Sequence, residues 1–114
     1  MPYIESKVST AVTKAQETEL KTRLGKIIEL IPGKNESWLM LCFESECSLY
    51  FKGSNEVPCA FVRVKVFGKE TPEAYENMTP AICELFEEVL GIPADHTYVV
   101  YEALTNWGWN GMNF

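Results

Sequence analysis

Residues 59–67 read Cys59-Ala60-Phe61-Val62-Arg63-Val64-Lys65-Val66-Phe67. Valines alternate with larger or charged residues, the two-residue period of a β-strand. Val62, Val64 and Val66 face one way; Phe61, Arg63, Lys65 and Phe67 face the other. The valine face calls for a covering layer, and the next segment supplies one. Thr71-Pro72-Glu73 opens a helix with a cap, a proline in the first turn and an acid near the positive end of the dipole. Tyr75, Met78, Ile82, Leu85, Phe86, Val89 and Leu90 form its apolar stripe, and Gly91-Ile92-Pro93 stops it. Residues 97–103 (TYVVYEA) read as the last long strand. Strand, helix and strand in that order predict a parallel crossover unit.

The N-terminal half repeats the pattern. Residues 2–8 (PYIESKV) alternate in polarity as a strand. Thr13 before Lys14-Ala15-Gln16 is a capping box. Leu20, Leu24, Ile27, Ile28 and Ile31 line one helix face, and Pro32-Gly33 ends that helix. Residues 38–43 (WLMLCF) are continuously apolar, as expected of a strand buried on both faces. Two βαβ units predict an α+β fold: one domain over residues 1–114, with a four-stranded mixed sheet and both helices on one face. The other face would carry Phe61 and Phe67 beside Arg63 and Lys65. An apolar patch of that kind marks an interface. Association through the sheets would bury the aromatics and leave the charges lining a wet centre.

The bulk properties narrow the partners. The 114 residues carry a net charge of −6 with no basic run, which argues against nucleic acid, because phosphate binding needs clustered Lys and Arg. No apolar stretch is long enough to span a membrane. The opening MPYIESKVST lacks the charged-then-apolar pattern of an export leader. Cys42, Cys47, Cys59 and Cys83 form no CxxC pair, and His96 is the single histidine. A zinc site is therefore not expected, and the four thiols read as free and mostly buried.

The two ends of the chain hold the chemistry. Pro2 follows Met1, so removal of Met1 would turn an amide nitrogen into a free secondary amine on a rigid ring. Such an amine accepts protons near neutrality if its surroundings lower its pKa. At the other end, Asn106-Trp107-Gly108-Trp109-Asn110-Gly111 sets two tryptophans among glycines. That segment reads equally as a hairpin closing the core or an interface, and as a pocket wall.

Taken together, Pro2, Gly33-Lys34, Pro58-Cys59-Ala60, Phe67-Gly68-Lys69, Tyr98, Asn106-Trp107-Gly108-Trp109-Asn110 and Phe114 resemble the macrophage migration inhibitory factor family of the tautomerase superfamily, over essentially the whole chain. The resemblance implies a homotrimer with a pocket at each subunit boundary. It implies Pro2 as catalytic base, Lys34 as the pocket lysine and Tyr98 as a tyrosine supplied by the neighbouring subunit. Trp38, Trp109 and Phe114 match an aromatic rim, and Phe67 stands where an isoleucine is usual. Four departures stand out. Val100 replaces an asparagine, Trp107 replaces a small aliphatic residue and narrows the entrance, and Lys65 replaces a common histidine. Cys59-Ala60-Phe61-Val62 lacks the second cysteine of a CxxC, which removes the resolving thiol for disulfide exchange.

The activity so implied is keto–enol tautomerisation of a phenylpyruvate-type 2-oxo acid, with no cofactor and no metal. Burial beneath Ile4, Phe67 and Trp109, together with the Lys34 cation, would lower the Pro2 pKa towards the ambient pH that suits a general base. Lys34 would also hold the substrate carboxylate and the developing enolate. Tyr98 would donate to the oxygen, and Trp38, Trp107, Trp109 and Phe114 would enclose the ring. The alternative is a cytokine-like secreted ligand with a vestigial pocket, engaging a protein receptor. Dehalogenation or hydration ranks last, because such chemistry needs paired arginines near the proline. The expected location is the cytoplasm, or outside the cell without a classical signal peptide.

Overall fold

The computed structural model describes residues 1–114. The Thr13 hydroxyl accepts from the Gln16 amide at 3.1 Å, and Gln16 Oε1 accepts from the Thr13 amide at 2.9 Å. This reciprocal pair opens α1 (Lys14–Ile27), which tightens into a 3-10 turn at Ile28–Leu30. Leu20, Leu24, Ile28 and Ile31 of its stripe are buried, while Ile27 is only partly covered. The second helix, α2 (Pro72–Leu90), buries Tyr75, Met78, Ile82, Leu85 and Phe86. It ends on Gly91 at φ 70°, a left-handed value that glycine adopts without strain.

Thr71 does not cap α2, contrary to the sequence expectation. Its side chain makes no capping bond, and its Oγ1 is buried without a partner. Pro72 presets the first helical φ and lacks an N–H, so fewer amides await a cap.

The four strands β1 (Pro2–Val8), β2 (Met40–Glu44), β3 (Ala60–Phe67) and β4 (Thr97–Leu104) lie in the order β2-β1-β3-β4. Each βαβ unit pairs its own strands in parallel, and the units meet in the antiparallel β1–β3 ladder. Pro2, Ile4, Ser6 and Val8 of β1 face the helices with Val62, Val64 and Val66 of β3. Tyr3, Glu5, Lys7, Phe61, Arg63 and Lys65 therefore share the uncovered face.

The apolar run at 38–43 is not a strand buried on both faces. Asn35 Oδ1 accepts from the Ser37 amide at 2.9 Å and starts a 3-10 turn over Glu36–Trp38, so the strand begins only at Met40. As an edge strand with helices on one side, β2 leaves Met40 67% exposed. The cysteines are all free, but only Cys59 is buried; Cys42, Cys47 and Cys83 are half-buried. No three His, Cys, Asp or Glu side chains cluster as metal ligands. No helix is long and apolar enough to cross a membrane.

Beyond β4 the chain forms a small hairpin, β5 (Gly108–Trp109) and β6 (Met112–Asn113). Its turn residues, Asn110 at φ 53° and Gly111 at φ 79°, are both left-handed. That is the geometry in which Asn-Gly joins two twisted strands most readily. The Phe114 amide donates to Trp107 O at 3.0 Å and closes the hairpin. The tail is thus a hairpin and a pocket wall at once.

Candidate functional site

The amino terminus lies where β1 begins, beside the end of β3. The Phe67 amide donates to Met1 O at 3.1 Å, and the Lys34 ammonium donates to Phe67 O at 2.9 Å. Lys34 reaches this point because Gly33, at φ 82°, turns the chain back after α1. Its amide then donates to Ile31 O at 3.1 Å, fixing the turn. Burial, and then the charge and hydrogen bonding of Lys34, push the terminal amine of Met1 from 8.0 down to about 6.

An open cleft of about 590 Å³ adjoins this amine, with Pro2 on its floor and Trp38, Trp107 and Trp109 among its walls. The Trp38 and Trp109 rings meet edge to face at 5.0 Å. Behind them Phe114 contacts Trp109 at 6.4 Å and Phe67 at 5.4 Å. Hairpin, 3-10 turn and strand end thus share one aromatic cluster, and the irregular turn at 36–38 is what aims Trp38 at it.

Two expected site residues lie elsewhere in the single chain. Ile4 is fully buried and belongs to the core under the helices, because even-numbered positions of β1 point inward. It does not border the cleft in the single chain. Tyr98 pairs in register with Phe61, whereas Pro2 pairs with Val66. Those two ends of β3 are roughly 17 Å apart at the strand rise. Tyr98 instead meets Phe51 edge to face at 5.2 Å and lines a separate apolar hollow of about 250 Å³ with Cys59, Phe61 and His96.

Met40 and Lys65 line the cleft although the sequence reading gave them no site role. Lys65 was legible in part, since its alternation with Phe67 put both on the uncovered face of β3.

The fold and site define an α+β protein of two βαβ units, with a lysine-flanked amino terminus at the foot of an aromatic cleft. The chain belongs to the macrophage migration inhibitory factor family, whose model matches residues 1–114, within the tautomerase superfamily. Macrophage migration inhibitory factor of Mus musculus is 27% identical over 110 residues, spanning 94% of this chain and 95% of its own. The crystal structure of Leishmania major MIF2 aligns at a TM-score of 0.93 and 34% identity, covering 100% of this chain and 97% of that one. A homologue from Prochlorococcus marinus aligns at 0.81 and 28% identity, with 98% of each chain covered.

Proposed function

We propose that the protein is a keto–enol tautomerase acting on phenylpyruvate-type 2-oxo acids, with Pro2, freed by removal of Met1, as the general base. The observation that carries this reading is what the site does to an amine placed there: burial and Lys34 lower the Met1 amine to about 6. An amine near that value is largely unprotonated at neutral pH, as a base must be. The prolyl amine, one residue further in, meets the same low-dielectric wall and the same cation. Pro2 takes a proton from the carbon next to the ketone and delivers it to the enolate oxygen; on the reverse path it takes the enol proton and returns it to the carbon. Lys34 holds the carboxylate and the charge that develops on the enolate oxygen. Trp38, Trp107, Trp109, Phe114 and Phe67 cover the apolar body of the substrate. Membership of the tautomerase superfamily supports this chemistry.

The active form is a homotrimer in this proposal. Pro2 and Tyr98 sit at opposite ends of β3, so a site using both takes Tyr98 from a neighbouring copy. The Phe61 end of the uncovered sheet face, where Tyr98 is 57% exposed, is the surface that such an assembly would cover. The protein acts in the cytoplasm, or outside the cell after export without a classical signal.

Val100, 36% exposed on β4, offers no polar contact, and Trp107 crowds the cleft. These two residues favour a second reading, a cytokine-like ligand of a protein receptor whose pocket is a remnant. Untagged protein with Met1 removed, verified by intact mass, decides between them in a phenylpyruvate tautomerase assay. Turnover abolished by alkylation of Pro2 supports the base; absence of turnover in folded, processed protein refutes it and leaves the ligand reading.

A further inference from the structure

The uncovered sheet face holds Arg63 and Lys65 two residues apart on β3, and only one of them is neutralised. Arg63 faces Glu5 across β1–β3, with Nη1 3.8 Å from Oε1. Lys65 stands opposite Tyr3 on β1 and Glu102 on β4. Within one chain it forms neither an ion pair nor a hydrogen bond, because Glu102 stays beyond ion-pair range and the Tyr3 hydroxyl donates to Glu5 Oε2 at 3.1 Å. Lys65 borders the cleft of Pro2. No acidic residue lines that cleft, although the chain as a whole carries a charge of −6. A lone cation against a tryptophan-lined wall, in an acidic protein, lacks a counter-ion that a ligand can supply.

The two cations of this region are distinct in place. Lys34 sits on the Phe67 carbonyl and depresses the Met1 amine, whereas Lys65 stands opposite Tyr3 on the uncovered face. Along β3 the two anchor points are two residues apart, roughly 7 Å. One cation is therefore anchored at the strand end beside the amine, and the other borders the cleft two residues back, in a lining that also holds Trp38 and Trp109.

We propose that Lys65 is a specificity-determining residue, and that the cleft takes 2-oxo acids carrying a second carboxylate on the distal end of an aromatic or apolar body. This rests on the tautomerase reading of the site and names its substrate class. The 2-oxo acid end lies at Lys34 and Pro2, the body lies on the tryptophans, and the distal carboxylate meets Lys65. Proton transfer is unchanged, since the second carboxylate does not react.

The test uses full-length untagged protein and two substrates, phenylpyruvate and 4-carboxyphenylpyruvate. The readout is the ratio of their kcat/KM values in the parent, Lys65→Met, Lys65→Arg and Lys7→Met. Lys7 shares the face but lies outside the cleft. A hydrogen-bonded charge pair of this kind corresponds to a preference of about tenfold or more for the diacid. The expected ratio falls to near one in Lys65→Met, is largely kept in Lys65→Arg, and is unchanged in Lys7→Met. A parent ratio of one, or a preference that survives Lys65→Met, overturns the proposal. Tryptophan-fluorescence titrations with unreactive phenylacetate and 4-carboxyphenylacetate separate the two readings. If neither substrate turns over but binding shows the same Lys65-dependent preference, the tautomerase reading fails and the dianion site stands. No preference in binding, or no binding, overturns the site as well.

Discussion

Replacing Lys34 by methionine tests the cleft most directly, because the structure gives this lysine two separable effects. It lowers the amine at the head of β1, and it is placed to hold a carboxylate. The amine has a lowered pKa, so its neutral, basic form is present above the midpoint and lost as pH falls through it. With Met1 attached that amine is Met1's own, and its midpoint stands at about 6 against an ordinary 8.0; the prolyl amine exposed by removal of Met1, beside the same wall and cation, is lowered in the same direction. Burial is the larger cause and survives the substitution, so the midpoint rises from about 6 but stops short of 8.0. For an amine moving between those two limits, the free-base fraction at pH 7 falls from roughly nine-tenths to no less than roughly one-tenth, so protonation alone costs at most about tenfold. At pH 9 both proteins are mainly in the base form, and that part of the loss disappears. Whatever loss persists there measures the carboxylate and enolate contact, about 10- to 100-fold for a charged hydrogen bond. The assay is a pH profile of kcat/KM for phenylpyruvate, between pH 5 and 9, on Met1-free protein. An acidic limb that does not move, together with unchanged kcat/KM at pH 9, would falsify both roles of Lys34.

Other substitutions probe the base, the wall and the frame. Pro2→Gly removes the rigid secondary amine and is expected to lower kcat/KM by about 100-fold or more with the melting temperature retained; unchanged kinetics exclude Pro2 as the base. Trp109→Ala deletes the ring that contacts both Trp38 and Phe114; KM for phenylpyruvate rises, and an unaltered KM places the substrate elsewhere. Phe86→Ala empties a fully buried site and costs about 3–5 kcal/mol in urea unfolding. Thr13→Ala costs about 1 kcal/mol as a lost cap, whereas Thr71→Val, which removes a hydroxyl with no partner, is neutral or stabilising. Equal losses at Thr13 and Thr71 contradict that contrast.

Local patterning made most of the frame legible. The alternation of residues 2–8 and 59–67 determined both the strands and which side of each meets the helices, because a β-strand admits only two faces. The stripes ending at Ile31 and Leu90 determined the covering helices, and the capping box at Thr13 and the stop at Gly91 set their limits. Thr71 misled because a hydroxyl before Pro72 looks like a cap, while the actual rotamer depends on what surrounds it. Residues 38–43 misled because apolarity alone cannot distinguish a doubly buried strand from an edge strand and a turn. Trp38 turns towards the tail hairpin and Met40 stays in the open.

Two βαβ units, a lysine just beyond α1 and a tryptophan-rich tail follow from short-range periodicity and turn chemistry alone. Which of these meet depends on the pairing of distant segments. Sheet order β2-β1-β3-β4 brings the chain's first residues against Phe67, Lys34 and the C-terminal hairpin, contacts separated by up to the whole length of the chain. The same register sends Tyr98 to the far end of β3, hides Ile4 among the helices and leaves Lys65 without a counter-ion. Those outcomes depend on pairing between distant segments, where a shift of one residue would reverse every face.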